Sequence, residues 1–118
     1  MTIIRSFRFY LLLLLFASVS AVQLKSATPA DDIISPAKGV IKRTIGDRVN
    51  TIQFKITEPI NKRETIRIEA ASGSLTIYGS SSVALCYGFN TYLKNACHCM
   101  VTWGGANLNI PEKWPDYQ

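Results

Sequence analysis

The chain has 118 residues, with 13 Lys and Arg against 8 Asp and Glu and a formal net charge of +5. That length suits one small domain and excludes a (β/α)8 barrel, which needs roughly 250 residues. The charge is mild, so no nucleic-acid partner is expected.

Residues 1–21 have Arg5 and Arg8 ahead of an apolar run from Phe9 to Ala17, and then the small residues Val19, Ser20 and Ala21. This is the pattern of a secretory signal peptide. The apolar core is shorter than the ~20 residues a membrane span needs, so no membrane contact is expected after cleavage, and the protein is expected to be secreted or periplasmic. Loss of Arg5 and Arg8 lowers the net charge to +3. Lys38, Lys42, Arg43 and Arg48 then form a local basic cluster, read here as a solvated helix face because no aromatic platform is interleaved with it.

Residues 22–33 are expected to form a flexible leader. Ser35 followed by Pro36 reads as an N-cap with proline in the first helical turn. The helix is predicted to run to Ile45, with Ala37, Ile41, Thr44 and Ile45 facing inward and Gly46 as its stop. Three strands follow by period-two alternation: Thr51–Thr57 with Ile52, Phe54 and Ile56 inward, Thr65–Ala70 with Ile66, Ile68 and Ala70 inward, and Leu75–Tyr78. The turn Ala71-Ser72-Gly73 should make a hairpin of the last two. Residues 58–63, with Pro59 and Asn61, should form a longer polar hairpin loop between the first two.

A second helix is predicted from about Ser81, because the serine run after Gly79 supplies a hydroxyl for the unpaired amides of a first turn. Its inward face is placed on Val83, Cys86, Tyr87, Asn90, Leu93 and Ala96, with Gly88 allowing close approach to the sheet and Asn95 as the stop. From Cys97 to Trp103 the pattern alternates again, which predicts a fourth strand parallel to the third. The expected fold class is α+β: a small mixed, mainly antiparallel sheet of about four strands with two helices packed on one face. The expected core is Ile41, Ile45, Ile52, Phe54, Ile56, Ile66, Ile68, Leu75, Ile77, Val83, Tyr87, Leu93 and Val101.

The run Gly79-x-x-x-x-Ala84-x-x-x-Gly88-x-Asn90-x-Tyr92-Leu93-Lys94, followed by Cys97-His98-Cys99-x-Val101-x-Trp103 and then Asn107-Leu108-Asn109-Ile110-Pro111, resembles the N-terminal domain of the alpha-N-acetylglucosaminidases, family 89 of the glycoside hydrolases. The resemblance is dense over residues 80–111. It implies the domain that precedes a catalytic barrel, with residues 34–111 as that domain and 112–118 as the start of a linker. It also implies an enzyme that removes terminal alpha-linked N-acetylglucosamine from glycans by a retaining mechanism, without cofactor or metal. The partner implied is the following catalytic (β/α)8 domain, and glycan is reached only through it. A free-standing secreted module that binds carbohydrate or protein is the alternative.

No catalytic residue is expected within this chain. Retaining glycosidases need two carboxylates about 5 to 5.5 Å apart, whereas Asp31, Asp32, Asp47, Glu58, Glu64, Glu69, Glu112 and Asp116 fall in a leader, loops, a wet strand face or the tail. Cys97, His98 and Cys99 invite a zinc reading with Cys86, but on a strand His98 points away from its neighbours, so buried structural cysteines are the preferred reading. A bridge from Cys86 to Cys97 or Cys99 stays open, and a Cys97–Cys99 bridge is disfavoured by strand geometry. Tyr92, Trp103, Trp114 and Tyr117 could stack on sugar rings. The preferred reading places Trp103, Leu108, Ile110, Trp114 and Tyr117 at an interface with a following domain.

Overall fold

A computed structural model of the chain describes residues 28–118. The predicted signal peptide and the first half of the predicted leader lie outside the described residues, and residues 29–33 of that leader are helical, not a flexible segment. Helix α1 spans Pro29–Ile45 and passes into a short 3-10 helix over Gly46–Thr51. Strands β1 (Ile52–Ile56), β2 (Ile66–Ala71) and β3 (Ser74–Gly79) follow, then helix α2 (Ser82–Asn95) and the short strands β4 (Met100–Thr102) and β5 (Gly105–Asn107). The fold class is α+β, as expected.

Helix α1 begins more than a turn before the predicted start at Ser35. The reason is a cap further upstream: the Asp31 carboxylate accepts from the Thr28 amide at 3.2 Å and from its hydroxyl at 2.9 Å. Pro29 occupies the first turn, where its missing N–H costs nothing. Asp31 and Asp32 in the first turn and Lys42 and Arg43 in the last both complement the helix dipole. Pro36 therefore sits inside the helix, where it leaves the Asp32 carbonyl without its usual donor. Ala37 and Ile41, both buried, hold the rest of the helix on the core.

The main sheet has the order β1-β3-β2, with β3 central. Strand β2 pairs antiparallel with β3 around a turn in which Ser72 and Gly73 have φ of 53° and 79°, the left-handed pair that a tight hairpin requires. Strand β1 pairs parallel with β3, with Ile52 opposite Leu75 and Phe54 opposite Ile77. So β1 and β2 are the two edges, and residues 58–63 join opposite sides of the sheet instead of forming the predicted hairpin loop. The parallel partner of the third strand is β1, not the strand after α2.

Both helices lie on the face formed by Ile52, Ile68, Ala70, Leu75 and Ile77. The other face is solvated: Arg67 lies over the Tyr78 ring at 3.9 Å, and the Tyr78 hydroxyl donates to Glu69 at 3.1 Å. Helix α2 starts as predicted, with the Ser81 hydroxyl accepting from the Ala84 amide at 3.1 Å and donating to Glu64 at 2.6 Å. Gly88 meets the sheet: a Cβ there would lie 3.0 Å from Cγ2 of Ile77. The buried face of α2 is, however, rotated from the predicted one. Ala84, Leu85, Gly88, Phe89, Tyr92 and Leu93 are buried, whereas Val83 and Tyr87 are 70% and 63% exposed. Two overlapping apolar stripes run along this helix, and the close approach at Gly88 selects the one that contains it.

The predicted fourth strand is shortened for a local reason. His98 adopts φ of 52° and the Cys99 amide bonds the Leu93 carbonyl at 2.9 Å, so residues 97–99 close the end of α2. Cys97 and Cys99 are buried as expected, while Val101, predicted to be core, is exposed. Only Met100–Thr102 remain extended, and they pair with β5 in a separate hairpin instead of joining the sheet.

Candidate interdomain surface

The five residues expected at an interface separate into two groups. Residues 108–117, whose last part was expected to be linker, form a strap that lies back on the domain. Trp114 is 4% exposed, and its indole N–H donates to the Thr51 hydroxyl at 3.0 Å. Tyr117 exchanges both backbone hydrogen bonds with Ala70, at 2.9 and 3.0 Å, extending the β2 edge by one bridge. Leu108 and Ile110 are half-buried against the same core. Trp103, at the tip of the β4–β5 hairpin, is fully exposed.

The strap is held from three separate elements, by side chains of two and a backbone amide of the third. Arg48, in the 3-10 helix, donates to the carbonyls of Ile110, Pro111 and Glu112 and stacks its guanidinium 4.3 Å from the centre of the Trp114 ring. Tyr92, on α2, donates its hydroxyl to the Pro115 carbonyl at 2.6 Å and meets the rings of Trp114 and Tyr117 edge-on. In the β2–β3 turn, the Ser72 amide donates to Asp116 at 3.1 Å. Sequence reasoning counted Arg48 with the solvated cluster and Tyr92 as a stacking candidate. Their role needs the tertiary path of the strap, and no local pattern carries it.

Tyr92 is completely buried, and Cys97 lies beside it. Burial pushes the Tyr92 hydroxyl well above its ordinary value, with the neighbouring Cys97 as the next cause. Burial likewise raises the Cys97 thiol, followed by the effect of Cys99. The Cys86 thiol, half-buried, is raised by burial as well. Such thiols are poor nucleophiles and poor metal ligands at neutral pH. All three cysteines are free, and among the described residues no group of three His, Cys, Asp or Glu could hold a metal ion.

All eight acidic residues lie on the surface. Some pair locally, as in Lys42–Asp47 and Arg67–Glu69, others accept from Ser72 and Ser81, and none lines the clefts between α1, α2 and the hairpin. Those clefts are lined mainly by apolar residues, with Thr44, Ser82, Asn90 and Thr102 as the polar ones. One, of about 160 Å³, is lined by Val40, Ile41, Cys86, Phe89, Leu93 and Val101 among others. Among the described residues, no helix is long and apolar enough to cross a membrane.

The structure is thus a small α+β domain whose acids are dispersed over its surface and whose C-terminal strap is fastened to it. The sequence model of the alpha-N-acetylglucosaminidase N-terminal domain matches residues 35–116, and the chain belongs to that family. The fold is similar to that of the family 89 glycoside hydrolase from Clostridium perfringens, solved in complex with PUGNAc, with 2-acetamido-1,2-dideoxynojirimycin and, as a variant, with GlcNAc-alpha-1,4-galactose. In each case the identity is 29% and the TM-score 0.64, over 70% of this chain and 10% of the hydrolase. The chain thus spans about a tenth of the length of the enzymes it matches. No curated protein matches it.

Proposed function

We propose that the chain is the non-catalytic N-terminal domain of a secreted alpha-N-acetylglucosaminidase, exported by the signal peptide at residues 1–21. The complete enzyme hydrolyses terminal alpha-linked N-acetylglucosamine from glycans, with its catalytic carboxylates in the domain that follows. The observation that carries this reading is the family match over residues 35–116, in a chain whose structural match covers 10% of the hydrolase. The scattered, exposed acids support a non-catalytic role, because a retaining site needs two of them facing each other. The test is to read the frame beyond the Gln118 codon, express the longer polypeptide and assay an aryl alpha-N-acetylglucosaminide. Hydrolysis by that product, lost when the barrel carboxylates are removed, is the expected result. Absence of a catalytic frame, or of hydrolysis, would overturn it.

One observation favours a second reading, a free-standing glycan-binding module. Trp103 offers a bare ring on a protruding hairpin, and an exposed indole is a stacking plane for a sugar. Titration of the chain with N-acetylglucosamine-capped oligosaccharides separates the two, since saturable quenching of Trp103 fluorescence is expected only of the module.

A further inference from the structure

Three clefts share residues and so form one strip. The first, of about 200 Å³, lies between Pro36, Ala37 and Val40 of α1 and Ser82, Val83 and Cys86 of α2. The second continues through Val40 and Cys86 to Val101 of the hairpin. The third runs from Val101 to Trp103 at the tip. Val83 is 70% exposed and Val101 48%. No charged residue lines any of the three.

We propose that this strip, running from Pro36 and Val83 to Trp103, is the surface on which the catalytic remainder of the same polypeptide packs; this rests on the function proposed above. Val83, Cys86, Tyr87 and Asn90 have the i, i+3, i+4 spacing of a face selected for burial, yet the domain's own sheet takes the neighbouring stripe. The hairpin adds a second, independent sign. A two-stranded ribbon is marginal in water by itself, and all six residues of β4 and β5 are exposed. A contiguous apolar surface of this kind marks an interaction site.

The occupant follows from the relation to the hydrolases, nine tenths of whose length this chain does not cover. The strap fixes where any following chain departs: Tyr117 is bridged to Ala70 and Asp116 to the Ser72 amide. A partner tethered through that exit meets the strip intramolecularly, which lowers the affinity the apolar seam itself must supply.

The test is thiol labelling of Val83→Cys in the 118-residue chain and in the longer polypeptide, read by site-resolved mass spectrometry with the buried Cys97 and Cys99 as references. Val101→Cys repeats it from the hairpin. The introduced thiol should react as a free surface thiol in the short chain and at least ten-fold more slowly in the longer one. Equal rates in a longer polypeptide that still hydrolyses the aryl substrate would overturn the docking surface and leave the enzyme assignment standing. Protection already present in the short chain and rising with its concentration would assign the strip to a second copy, and so overturn the proposal. A longer polypeptide without hydrolysis would remove both.

Discussion

Replacing Arg48 by alanine should release the strap, and the loss can be worked from its contacts. Arg48 makes close charge-assisted bonds to Pro111 and Glu112, a long one of 3.5 Å to Ile110, and a cation–π contact of 4.3 Å with Trp114. The side chain is half exposed, so each of the two close bonds is assigned about 1 kcal/mol, below the ~1.5 to 3 kcal/mol of charged bonds because solvent screens it. The cation–π contact adds roughly 0.5 to 1 kcal/mol. The total is about 2 to 3 kcal/mol, and in a domain of this size each kcal/mol moves the midpoint by about 4 to 8 °C. The melting temperature should therefore fall by roughly 10 to 20 °C. Urea unfolding followed by tryptophan fluorescence in a Trp103→Phe background makes Trp114 the reporter of strap release. Arg48→Lys should lie between, because it keeps the charge and loses the fork. Arg43→Ala, on the exposed part of the same basic cluster, should be nearly silent. Equal shifts for Arg43→Ala and Arg48→Ala would refute the strap's dependence on Arg48.

Gly88→Leu should cost about 1 to 3 kcal/mol by overpacking against Ile77, while Lys94→Ala, on the exposed side of α2, should leave the melting curve unchanged; comparable losses would mean that the buried face is wrongly placed. Trp114→Ala should cost roughly 3 to 5 kcal/mol, whereas Trp103→Ser, at a fully exposed position, should leave the melting curve unchanged. The reverse order would place the wrong tryptophan in the core. Tyr92 and Cys97 are both held protonated by burial, so above about pH 9 the folded state binds more protons than the unfolded one. Stability from these groups is fully present below that pH and is lost as pH rises, at up to about 1.4 kcal/mol per pH unit for each proton. A melting temperature that stays flat to pH 11 would contradict their burial.

Strands and turns were legible where a single local rule decides them. Alternation in Ile52–Ile56, Ile66–Ala71 and Leu75–Tyr78 located β1 to β3, and Ser72-Gly73 located the hairpin. The Ser81 cap located the start of α2. Sheet order was not legible, because the alternation of β1 is the same whether its neighbour is β2 or β3. The start of α1 was misplaced at Ser35-Pro36 because residues 22–33 were read as a leader, whereas the cap lies at Thr28, bonded to Asp31. For α2 two apolar stripes competed, and the one left outside now forms much of the candidate surface. Trp114 and Trp103 have the same chemistry in the sequence. The strap, held by Arg48, Thr51 and Tyr92 from distant positions, buries one of them and leaves the other bare.

The most direct test of the central claim, that this chain is the non-catalytic part of a larger glycosidase, is turnover of an aryl alpha-N-acetylglucosaminide by the purified 118-residue chain, measured beside the polypeptide encoded by the frame that continues past Gln118. Release of the aryl group by the longer polypeptide and none by the chain alone is the predicted result, and turnover by the chain alone would contradict it.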